Sequence, residues 1–224
     1  MIDRPRVEGL PRGRALVVPL GGEHEVLSWA VVNGGRRRAT CVVWREVRLA
    51  ELGPDCDGAD LMRETLARLD LPGAVGLLTA RDVRAYEDER AERGVAWARA
   101  VATVGLGNAL AAGDPPAAAR TGTINVLCQV SVALSEEALI EACALAAEAR
   151  AAALLESAVP SAVSGRPASG TGTDCIVIAA PVAGAPERFA GKHTACGSVI
   201  GAAVHGAVAR GVRRWLAERA CPTD

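Results

Sequence analysis

The tripeptide Asn33-Gly34-Gly35 constrains this chain more than any other short stretch. Asn and Gly both tolerate positive φ, which a tight turn between antiparallel strands demands. The tripeptide separates two short runs rich in Val, Leu and Trp, at 26–32 and 39–47. A third run, 14–20, is set off from them by Gly21-Gly22. This spacing predicts an antiparallel three-stranded start. Arg36-Arg37-Arg38, directly after the turn signal, reads as a solvated turn tip and is too short for a basic patch.

Downstream, Leu61, Met62, Leu66 and Leu69 recur at helical spacing and predict a helix over 58–70. A strand at 74–79 follows, then a charged connection from Tyr86 to Arg93. Two longer strands, 94–104 and 121–133, flank a Gly- and Pro-containing loop. Ser135 is the expected N-cap of a helix to about Ser157, with Glu136 and Glu137 at the positive end of its dipole. A small-residue loop from Pro160 to Gly172 leads into a strand at 174–180, and a second loop runs from Pro181 to Phe189. The last helix is expected over 192–219, with a buried stripe through Val199, Ile200, Ala203, Val204, Ala207, Val208, Val212, Trp215 and Leu216. Gly197, Gly201, Gly206 and Gly211 within it cost about 1 kcal/mol each against Ala, so a backbone or ligand should come close there. Hairpins mixed with two long helices indicate an α+β fold: antiparallel or mixed sheet layers packed with long helices. One domain over 1–224 is expected, with 1–13 and 216–224 peripheral. The order of strands and helix is faintly repeated.

Composition narrows the function. The formal net charge is −1 and aromatic residues make up 3 %. A nucleic-acid partner would want a basic face and stacking surfaces, so none is expected. No stretch reads as the ~20 apolar residues that span a bilayer, and the N-terminus lacks a signal-peptide run, so a soluble cytoplasmic protein is expected, with homo-oligomerisation open. Seven cysteines without any C-x-x-C pair suggest free thiols packed as small hydrophobes.

Of 25 Lys plus Arg residues, only Lys192 is lysine. Ammonium is a compact, strongly hydrated point charge and guanidinium a planar fork, so a lone lysine beside His193 marks a place where Arg would serve badly. The bland alternative is one codon escaping an arginine bias. Gly191-Lys192-His193-Thr194 is not a P-loop, because Pro186 and His193 stand where Gly and Ser or Thr are needed. What remains is a Lys and a His at a helix N-terminus. There a neutral His193 can act as general base, and Lys192 can stabilise an oxyanion by roughly 3 kcal/mol. His24 is expected in an exposed strand connection and His205 as a packed or hydrogen-bonded helix residue. A zinc site from His193, Cys196 and Asp174 lacks any standard spacing.

Three polar, Gly-rich segments sit at predicted strand ends: Gly105-Leu106-Gly107-Asn108, Thr121-Gly122-Thr123-Ile124-Asn125 and Ser169-Gly170-Thr171-Gly172-Thr173-Asp174. The last places backbone N–H groups, hydroxyls and a carboxylate within a few residues, which can cradle an oxyanion or simply close an Asx/ST turn on itself. Thr171, Thr173, Ser169 and Cys175 are nucleophile candidates only with a base beside them, and none lies in a G-x-S-x-G elbow.

At these blocks, together with Asn33-Gly34-Gly35 and Ala190 to Thr194, the chain resembles the adenosylcobinamide amidohydrolase family over residues 14 to 210. Val104 and Leu106 depart conservatively, in a block where smaller residues are common. The resemblance implies hydrolysis of the amide joining the aminopropanol arm to a corrin propionate, with a corrinoid as small-molecule substrate and no cofactor or metal. Chemistry then suggests Asp174 or His193 as base, Lys192 and the 170–174 turn, including Gly170 and Gly172, as oxyanion donors, and Thr171 or Thr173 as nucleophile in a covalent variant. Asn33, Gly107, Asn108, Thr123 and Asn125 would meet the substrate. This reading requires the threonine-aspartate turn and the lysine-histidine turn to face one carbonyl. A non-catalytic corrinoid carrier and a nucleotide-binding module are the competing readings.

Overall fold

The computed structural model describes residues 4–48, 51–52, 57–116 and 121–220. Along the chain run β1 (Arg6–Gly9), β2 (Arg14–Ser28), β3 (Gly35–Glu46), α1 (Gly58–Arg68), β4 (Val75–Thr79), β5 (Glu87–Arg93), β6 (Ala96–Val104), β7 (Ala109–Leu110), β8 (Ile124–Val130), α2 (Glu136–Glu156), β9 (Gly170–Thr171), β10 (Cys175–Pro181) and α3 (Ala195–Ala220). The main sheet is ordered β4-β3-β2-β10-β8-β6-β5, with β1 added along β2. It is mixed, because β4 runs parallel to β3 and β10 parallel to β8 while its other pairings are antiparallel. The fold is α+β, as the strand and helix pattern predicts.

The faint repeat in the sequence is physical. β2 and β3 form an antiparallel hairpin, α1 crosses over, and β4 returns parallel to β3. β6 and β8 do the same, with α2 crossing over to β10. Each unit lays its strands in the order third, second, first, and the two join where β2 meets β10.

Several expectations change. Gly21-Gly22 is not a turn between two strands. Both residues have positive φ, 75° and 150°, and they form an irregularity inside the single long strand β2, where the register against β3 shifts between Pro19 and His24. A bulge uses glycine for the same reason a turn does, so sequence alone cannot separate them. Arg36, Arg37 and Arg38 lie in β3, not at a turn tip, and Arg36 pairs with Glu25 and Glu136. The charged connection is β5, an edge strand whose charges on both faces hide its period and protect the edge. His24 is buried within β2 rather than exposed.

α2 and α3 pack together on one face of the sheet against alternate residues of β6, β8 and β10. Ser135 caps α2 as expected, its Oγ accepting from Ala138 N at 3.2 Å. The α3 stripe is buried from Val199 to Val212, each large aliphatic contributing about 1.5–3 kcal/mol, while Leu216 is exposed. Gly211 lets α3 lie on β6, since a Cβ there would stand 2.5 Å from Val104 Cγ2. By length and hydropathy α3 could cross a membrane, contrary to the sequence expectation, yet 56 % of that apolar window is buried inside the protein. Cys41, Cys128, Cys143, Cys175 and Cys196 are free; Cys56 and Cys221 lie outside the described residues. Burial raises the thiols, that of Cys41 to about 11.

The sheet curls so that β4, at one end, reaches back to β8. Asn125 of β8 donates from Nδ2 to Leu78 O of β4 at 2.8 Å, although the two strands are four steps apart in the sheet order. A flat sheet would hold them roughly 19 Å apart. Val32 closes the same edge, exchanging backbone bonds with Gly76 at 3.3 and 2.9 Å. The concave side holds Leu16, Val18, Trp44, Leu77, Val101, Leu127 and Val177.

Candidate functional site

The three Gly-rich segments converge. Gly105 N donates to Thr123 O at 3.0 Å and Gly172 N to Asn108 O at 3.3 Å, while β7 pairs with β9. Glycine is required because backbone meets backbone. A Cβ on Gly107 would lie 2.3 Å from Thr121 O, and one on Gly122, at φ 151°, only 2.5 Å from Asn108 N.

Asp174 binds this arrangement together. Its Oδ1 accepts from Ile124 N at 2.9 Å and from the Thr171 hydroxyl. Its Oδ2 accepts from Thr171 N at 2.9 Å and pairs with Arg150 Nη1 at 2.8 Å. A carboxylate has about four lone-pair positions, so Asp174 is saturated, and its side chain is only 6 % exposed. The Thr173 hydroxyl donates instead to Gly122 O at 3.2 Å, and the Thr123 hydroxyl to Thr173 O at 2.7 Å.

In front of these turns, at the end of the concave side, opens a cleft of about 520 Å³. One wall is apolar: Trp29, Val31, Val47, Leu52 and Leu77. The other carries Thr121, Thr123, Asn125, Thr173 and Asp174. Trp29 is half exposed, and its Nε1 donates to Asp174 O at 2.6 Å, which fixes the ring at the mouth. Cys175 lies on the floor with its thiol pushed up to about 12 by burial, so it is a poor nucleophile.

Of the predicted substrate contacts, Thr123 and Asn125 line the cleft. Gly107, Asn108, Gly170 and Gly172 stand behind it and shape the turns. Asn33 is elsewhere. With φ 58° it donates from Nδ2 to Pro72 O and Ala74 O at 2.9 and 2.7 Å, tying its turn to the loop before β4.

Lys192 and His193 do not join the Asp174 turn. Lys192 Nζ pairs with Glu148 at 2.6 Å, whereas Asp174 pairs with Arg150. Residues 148 and 150 point about 200° apart around a helix, so α2 stands between the two turns. The turns also leave opposite ends of β10. Lys192 and His193 line a separate shallow groove with Glu141 and Glu148, and Glu141 accepts from Ala190 N at 2.6 Å. The cause is topological, because a crossover helix lies between the strand that the first turn starts and the loop that carries the second. His205 is hydrogen-bonded to Glu156 at 2.8 Å, as expected of it.

Sequence reasoning missed two residues here. Arg150 sits in an Ala-rich helix with no motif around it, and Trp29 falls in an apolar run that reads as a strand. The packing of α2 brings Arg150 to Asp174, and the pairing of β2 with β10 brings Trp29 there.

A comparison with known protein families matches residues 2–220 to adenosylcobinamide amidohydrolase. The chain belongs to the adenosylcobinamide amidohydrolase family. It is therefore an amidohydrolase by family, and a corrinoid is the class of substrate that this membership carries. No curated protein sequence matches the chain.

Proposed function

We propose that this amidohydrolase cleaves the amide between the aminopropanol arm and a corrin propionate side chain of adenosylcobinamide, giving adenosylcobyric acid and aminopropanol, as a step of corrinoid salvage. The observation that carries the reading is a cleft with one apolar wall and one polar wall, the polar wall built by the 121–125 and 173–174 segments and braced from behind by the 105–108 segment. A corrin is a broad apolar macrocycle fringed with amides, and it needs both surfaces at once. Trp29 and its aliphatic neighbours support the ring face; Thr121, Thr123, Asn125 and Thr173 meet the amide fringe.

For the chemical step, water adds to the amide carbon, the C–N bond breaks, and the departing amine takes a proton. Asp174 is the carboxylate beside this wall. To accept a proton it must release one of its four donors, and the Thr171 hydroxyl is the one free to rotate away. The other three are two backbone N–H groups and the Arg150 guanidinium. In a covalent variant the same pair makes Thr171, not Thr173, the activated hydroxyl, because Thr173 donates to a carbonyl rather than to a base. Hydroxylamine capture separates these routes: a trapped hydroxamate identifies an acyl-enzyme.

Mass spectrometry of adenosylcobinamide after incubation with the purified protein tests the whole reading. Release of aminopropanol with formation of adenosylcobyric acid is the expected outcome. Retention of unchanged red corrinoid would make the chain a carrier.

A further inference from the structure

A second cavity of about 410 Å³ lies on the other side of the 51–52 segment, between the β1–β2 turn, the end of β3 and α1. Leu52 faces the cleft described above, and Glu51 lines this cavity. The cavity gathers three guanidinium groups, Arg12, Arg45 and Arg68, against two carboxylates, Glu51 and Glu64. Arg45 is the unusual member. Its side chain is only 6 % exposed, yet among the described residues it makes one hydrogen bond, a long 3.4 Å contact from Nη2 to Glu51. Its Nε is buried with no partner. A guanidinium carries five donors, and a buried one left this poorly satisfied costs free energy unless something else accepts from it.

The neighbours point the same way. Arg12 and Arg68 are exposed and have no ion-pair partner among the described residues. Glu51 is only a partial counter-charge, because its second oxygen accepts from Arg48 N at 2.9 Å. Glu64 opposes an anion but is exposed, where its field is screened. Guanidinium forks match the oxygens of phosphoryl groups, and three around one cavity are a means of holding a dianion.

We infer that this cavity is an anion site for a phosphoryl group, with buried Arg45 as its anchor and Arg12 and Arg68 as its outer clamps. The inference is independent of the amide chemistry proposed for the cleft. A phosphoryl group can arrive as inorganic phosphate or on a larger molecule, so titration calorimetry on the full chain is run with inorganic phosphate and with phosphoethanolamine. Saturable binding of both assigns the cavity to the phosphoryl group itself; binding of the ester alone assigns it to an esterified ligand. Arg12→Ala/Arg68→Ala, which alters exposed positions only, should weaken the binding about tenfold or more. Glu51→Gln, which removes the competing carboxylate, should tighten it. The inference is overturned if neither compound binds saturably up to tens of millimolar, or if the double variant binds as the parent does. Circular dichroism of each variant shows that the fold is intact.

Discussion

The Asp174 turn and the Lys192 turn look alike in sequence, each a short polar stretch beside glycine at the end of an apolar element, yet the fold treats them oppositely. Asp174 is buried, accepts four hydrogens and welds three chain segments into one wall. Lys192 is 71 % exposed and holds a single surface partner, Glu148. The difference teaches that two similar polar motifs can part company in the fold: one is locked by burial and four donors into the wall of a cleft, the other is left on the surface with an ion pair.

The largest effect that would test this contrast is on stability. Asp174→Ala strips a buried partner from Arg150 and should cost about 3–5 kcal/mol in urea unfolding. Glu148→Ala, the equivalent cut at the other turn, should cost less than about 1 kcal/mol. Equal losses would erase the distinction.

Next in size is Trp29→Ala, which removes the apolar support at the cleft mouth. On the proposed reading, in which the ring supports the substrate away from the scissile bond, KM for adenosylcobinamide should rise roughly tenfold with kcat little changed. A collapse of kcat with KM unchanged would move Trp29 from binding to chemistry.

Acid probes the concave side of the sheet. Burial lowers the pKa of His24 below its ordinary 6.5, an effect partly offset by the Gly22 carbonyl. The unfolded chain therefore takes up the proton first, so stability is complete above about pH 7 and declines as pH falls through 6.5 toward the folded value. His24→Gln should flatten that decline in a melting-temperature series from pH 8 to pH 5.

Smallest of all is Lys192→Arg, expected to keep kcat/KM within about twofold because the groove is separate from the cleft and its ion pair is surface-exposed. A fall of a hundredfold would transfer the reaction to the groove.

Much of this was legible from the chain. The Asn33 turn, the Ser135 cap and the α3 stripe follow from local chemistry: φ preference, a hydroxyl at N-cap, a 3.6-residue period. The placement of the three Gly-rich segments at strand ends was also visible, but their convergence was not, because it depends on which strands are neighbours in the sheet. The Gly21-Gly22 bulge was not, since glycine serves a turn and a bulge alike. Nor was β5, whose charges obscure its alternation. The separation of Lys192 from Asp174 depends on which side of α2 each loop emerges, and no local pattern records that.

The bond from Asn125 to Leu78 has a kinetic implication. It joins positions 47 residues apart, so the two flanks of the cleft come from stretches that must find one another late, after considerable loop entropy has been lost. If the cleft is where the corrinoid binds, as proposed, affinity should develop only with this closure, and ligand capture in a refolding time course tests that order.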